Sequence, residues 1–135
     1  MKTAILYKKN LWMILFWGWS IIVVILTSMP TNPKIIEQDE VFLIRLDYLE
    51  HIFFFTVQSF LFFFAYPLYQ VKKGKIKLLF WLLAGIFFAS ITEIYQYFIP
   101  GRTFNFIDLA LNNSGILLGI PAGRLFFSLI PDFKS

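Results

Sequence analysis

Four runs of apolar residues, each long enough to cross a bilayer, leave this chain few ways to fold. They lie at about Leu11 to Met29, Leu46 to Leu68, Leu78 to Ile99 and Phe106 to Ile130. At 1.5 Å per residue, helices of that length span roughly 30 Å of hydrocarbon. A lone strand in lipid would leave its backbone polar groups unpaired, so helix is the state open to each run. The chain is 135 residues long, 59% hydrophobic, with 18 Phe. A soluble domain of that size has too little interior to hide so much apolar surface. The expectation is an all-α integral membrane four-helix bundle, folded as a single domain over residues 1–135.

The breaks between the runs agree with this division. Pro30 and Pro33, with Thr31 and Asn32, interrupt the chain after the first run. Pro67 lies near the end of the second, the Lys72, Lys73, Gly74, Lys75, Lys77 turn follows it, and Pro100 with Gly101 closes the third in a tight corner. Pro121 falls inside the fourth, where a kink is expected. The first run follows Lys2, Lys8 and Lys9 as a signal peptide would, but TSMPTN lacks a small-x-small cleavage pattern, so an uncleaved helix is expected. Lysines gather before the first run, between the second and third, and at Lys134, against Lys34, Arg45 and Arg102 on the other side. By the positive-inside rule both termini face the cytoplasm, and the basic residues need no nucleic acid to account for them. Trp12, Trp17, Trp19 and Trp81 read as interfacial anchors.

One window breaks the hydrocarbon. Residues 92–115 read TEIYQYFIPGRTFNFIDLALNNSG, placing Glu93, Gln96, Arg102, Asn105, Asp108, Asn112 and Asn113 around the third corner. With the termini inside, that corner is extracytoplasmic, and Asp47 and His51 reach the same depth from the second run. Asp47, His51 and Gln58 share one helical stripe, as do Ser90, Glu93 and Tyr97, and as do Asn105, Asp108 and Asn112. The last stripe continues through Gly115, Gly119 and Gly123, a small-residue groove that lets another helix approach closely. Ionisable groups in a span are costly unless they pair or bind something, which makes them candidates for function.

The ordered elements Asp47-x-x-x-His51, Glu93-x-x-Gln96, FIPGR and Asp108-x-x-x-Asn112-x-x-Gly115-x-x-x-Gly119 resemble those of the VanZ-like family of small helical bacterial membrane proteins. That family takes its name from a protein linked to low-level resistance to the glycopeptide teicoplanin. The resemblance implies a multi-pass protein of the bacterial cytoplasmic membrane and a shared polar motif; it supplies no reaction, and it implies no drug resistance for this chain.

Three functions are weighed. An enzyme at the outer leaflet would act on a lipid or lipid-linked envelope precursor, with Glu93 and His51 as acid/base groups, Asp108 orienting or donating, and Arg102 gripping a phosphate or carboxylate. Gln96, Asn112, Asp47 and Asn105 would complete the binding pocket. A non-catalytic binder would use the same pocket and lean most on Arg102. A proton-linked transporter needs polar groups deeper in the membrane, and Gln58 alone comes close. Asp47, His51 and Glu93 are metal-ligand types, but with one His and no Cys neither a metal nor another cofactor is expected. The expected partners are membrane lipids or a lipid-linked precursor, with a homo-oligomer as a further option.

Overall fold

The computed structural model describes residues 2–30, 46–66 and 74–129. Four helices account for most of them: α1 (Lys2–Thr27), α2 (Leu46–Ala65), α3 (Gly74–Gln96) and α4 (Phe106–Leu129). There is no strand among the described residues. The lysine-rich turn up to Lys73, the loop from Thr31 to Arg45 and the tail from Ile130 lie outside the described residues.

Segments of three helices, Asn10–Thr27, Asp47–Ala65 and Leu78–Gln96, are long and apolar enough to cross a membrane. The fourth helix has 24 residues but is less apolar, because Asp108, Asn112, Asn113 and Ser114 fall in its first half. It nevertheless lies along α2, its most extensive partner. The two run parallel, Gly115 against Ile52 and Thr56, Gly119 against Thr56 and Ser59, Gly123 against the Phe63 ring. α4 therefore accompanies α2 over much of its length.

The glycines set how close this seam can be. A Cβ at Gly115 would stand 2.6 Å from the Ile52 carbonyl oxygen, and one at Gly119 would strike Ser59 and the Thr56 carbonyl. Across the gap so created, Ser59 Oγ donates to Ile116 O at 2.7 Å. α1 packs on the other flank of α2, while α3 leans on α4 and touches α1 lightly. Val23, Phe55, Trp81, Ala89 and Ile116 form the buried core where all four helices meet. Phe80, Phe87, Ile94 and Leu125 face outward and would meet acyl chains.

Three of the four tryptophans pack more deeply than the interfacial reading supposed. Trp81 is 3% exposed in the core. Trp19 Nε1 donates to Phe54 O at 3.0 Å. Trp12 stacks on Phe64 at 4.7 Å between ring centroids. Each places a large ring between helices. Only Trp17 stays largely exposed, at 54%.

The third helix stops at Gln96, earlier than the hydropathy run. Tyr97, Phe98 and Ile99 each donate to the carbonyl three residues back, tightening the end. Arg102 N then donates to Ile99 O at 3.0 Å, with Gly101 at φ 80° between them. Proline at the second place and a positive-φ glycine at the third are the requirements of a type II turn. Tyr97 therefore leaves the stripe it was expected to share with Glu93 and is 69% exposed. The fourth helix passes Pro121 without a break, and that residue faces outward.

Candidate functional site

The parallel register of α2 and α4 brings His51 opposite Asn112. His51 Nδ1 and Asn112 Oδ1 are 2.8 Å apart and buried. An amide oxygen only accepts, so in this pairing Nδ1 is the donor. The other ring nitrogen, Nε2, lies 3.7 Å from Asp108 Oδ2. That is too long for a hydrogen bond but close enough for an imidazolium to pair with a carboxylate. One turn earlier on α2, Asp47 is half-buried.

Glu93 enters from α3. It is 0% exposed, and its Oε1 accepts the backbone N–H of Asn105 at 2.9 Å. Asn105 is the N-cap of α4, its side-chain Oδ1 accepting from Ile107 N at 2.9 Å. In a capping box the residue three places into the helix returns to bond the cap's N–H. Here Asp108 holds that place, and Glu93 of a different helix makes the bond. Glu93 also lies within electrostatic reach of Asp108, His51 and Arg102. The side chain of Asn105 is thus committed to its own helix.

Several buried polar atoms of this cluster have no hydrogen-bond partner among the described residues: Glu93 Oε2, Gln96 Nε2, Asn112 Nδ2 and Asn113 Oδ1. They include both donors and acceptors, on α3 and α4. A buried polar group without a partner is costly, which marks this cluster as a candidate site. Asp47, His51 and Glu93 are not gathered as a metal-ligand set; among the described residues no group of three such side chains is arranged to hold an ion.

Beside His51 a cavity of about 280 Å³ opens between the end of α1, the start of α2 and the α3–α4 corner. Arg102 stands at this cavity, its Nε donating to Met29 O at 3.2 Å. That bond ties the corner to the end of α1. Glu50 also lines the cavity, and sequence reasoning passed over it. It stands next to His51 in DYLEH, but nothing in the sequence reveals that the end of α1 lies over it.

Gln58 points elsewhere. Its Nε2 donates to Ser20 Oγ of α1 at 2.8 Å, and the residue lines a separate, mainly aromatic cavity of about 110 Å³ with Phe55, Trp81 and Phe88. The stripe of Asp47, His51 and Gln58 therefore divides between two neighbours, α4 above and α1 below. Gln58 Oε1 is buried without a hydrogen-bond partner among the described residues.

Outward apolar faces enclosing an ionisable cluster at one end define a multi-pass helical membrane protein with an internal polar site. The chain belongs to the VanZ/LLP1 family, whose model matches residues 5–129. No curated protein and no solved structure gives a match.

Proposed function

We propose that this VanZ-family protein receives the phosphate- or carboxylate-bearing headgroup of an envelope lipid or lipid-linked precursor at the polar end of its bundle. His51 is the acid/base group there. The observation that carries this reading is the setting of His51: one nitrogen held by Asn112, the other facing Asp108, at the wall of a cavity that also contains Arg102. An imidazole held through one nitrogen presents the other for proton transfer, beside the Asp108 carboxylate. The guanidinium supplies a planar fork suited to phosphate or carboxylate. With Nε on the Met29 carbonyl, its remaining N–H groups have no protein partner among the described residues.

In this reading Glu93 is a positioning residue, since it caps α4 and so aims Asp108 and Asn112. The polar end faces away from the cytoplasm, in the bacterial cytoplasmic membrane, with both termini inside; the distribution of Lys and Arg supports that orientation.

A non-catalytic binder has its own support. His51, Asn112, Glu93 and Arg102 all have partners within the protein, as a braced receptor would. Clustering of the acidic and basic groups at one end disfavours a proton-coupled transporter.

The deciding experiment incubates purified protein with envelope lipid extract and compares the lipids by mass spectrometry. For an enzyme, wild type generates a product that His51→Gln does not. No product from wild type, together with a co-purifying lipid that Arg102→Ala loses, establishes the binder instead. Neither product nor retained lipid sinks both.

A further inference from the structure

Glu50 and Arg102 line the same cavity with opposite charges. They do not neutralise each other: Arg102 bonds the Met29 carbonyl, and no ion pair joins it to Glu50. Glu50 is exposed and has no hydrogen-bond or ion-pair partner among the described residues. Leu26, Met29 and Phe54 supply an apolar lining between the charges. A volume of about 280 Å³ falls just below the usual range for ligand sites, ~300 Å³ upward, which suits a headgroup rather than a large glycan.

A purely anionic headgroup would satisfy the guanidinium but meet the Glu50 carboxylate as a like charge. A headgroup with phosphate at one end and ammonium at the other satisfies both. We infer that the cavity between Glu50 and Arg102 selects a zwitterionic, phosphoethanolamine-type headgroup, phosphate on Arg102 and ammonium on Glu50. This rests on the headgroup reading above and narrows it. Two sources share the chemistry: a phosphatidylethanolamine in the bilayer, or a soluble phosphoethanolamine.

Native mass spectrometry of the purified full chain tests this, with phosphatidylethanolamine and phosphatidylglycerol of matched acyl chains. Wild type should retain the zwitterionic lipid over the anionic one by about tenfold. Glu50→Gln should bring the two to within about threefold, mainly by weakening phosphatidylethanolamine. Arg102→Gln should lower retention of both. Glu50 is exposed and unbonded, so its substitution should leave the elution profile on size exclusion unchanged. Equal retention of the two lipids by wild type overturns the inference, as does a preference that survives Glu50→Gln. If Arg102→Gln still weakens both lipids in that case, the broader headgroup reading stands and only the zwitterion falls. If Arg102→Gln weakens neither, both fall. Competition by O-phosphoethanolamine would support the inference with a soluble ligand as sufficient; retention unaffected by it, with the Glu50 effect present, would support it with the membrane lipid as the source.

Discussion

His51 and Asn112 are separated by 61 residues in the chain and by 2.8 Å in the fold. Their hydrogen bond joins α2 to α4 at the polar end of the glycine seam. It also decides which imidazole nitrogen is left to face Asp108.

That bond should appear as a coupling energy. Asn112→Ala leaves the Nδ1–H of His51 buried without an acceptor, and the pair should contribute about 1 kcal/mol to stability. A double-mutant cycle with His51→Ala, read from denaturant unfolding in mild detergent, isolates the pairwise part. A coupling near zero would mean that the two side chains do not support each other.

The glycines should differ sharply from one another. Gly115→Ala and Gly119→Ala force backbone of α2 to move, because the new methyl meets Ile52 O, Thr56 N or Thr56 O. Each should cost about 1–3 kcal/mol, the range for overpacking. Gly18→Ala meets nothing within 4 Å and should be neutral or stabilising by up to about 1 kcal/mol through helix propensity. Thermal midpoints of the three variants check the ranking, and equal midpoints would contradict the close α2–α4 approach.

Glu93 should tolerate an isostere better than truncation. Glu93→Gln keeps an oxygen for the Asn105 N–H, whereas Glu93→Ala removes it and uncaps α4 across the helix pair. The Ala variant should be less stable than the Gln variant by about 1 kcal/mol. Hydrogen exchange at the start of α4 gives a local readout, with faster exchange near Asn105 in Glu93→Ala alone. Equal protection in the two variants would remove Glu93 from the role of cap.

Topology can be read by labelling, since the chain has no cysteine of its own. Thr103 and Ser128 are both exposed and lie toward opposite ends of the bundle. A membrane-impermeant thiol reagent applied to intact cells should modify Thr103→Cys and spare Ser128→Cys. The reverse pattern would turn the polar site toward the cytoplasm and remove the envelope precursor from consideration.

The helices, the Pro100–Gly101 corner, the small-residue groove and the common depth of the polar residues were legible in the chain because each depends on near neighbours. Apolar run length dictates a helix, proline and glycine dictate a turn, and four-residue spacing dictates a face. The limits of that reading also have local causes. Tyr97 has the right spacing for Glu93's stripe, but the helix tightens and ends at Gln96 before the stripe can continue. Trp81 has the composition of an interface anchor, yet it lies in the core, which hydropathy cannot tell from lipid because both are apolar.

From the sequence alone comes a membrane-embedded set of helices with ionisable groups gathered near one end. Tertiary structure decided who meets whom: that α2 and α4 run in parallel register, that Glu93 caps a helix other than its own, and that Glu50 shares a cavity with Arg102. Local preferences act over a turn or two of backbone. Contacts between distant residues depend on the rotation and offset of whole helices, and those follow from packing along their full length.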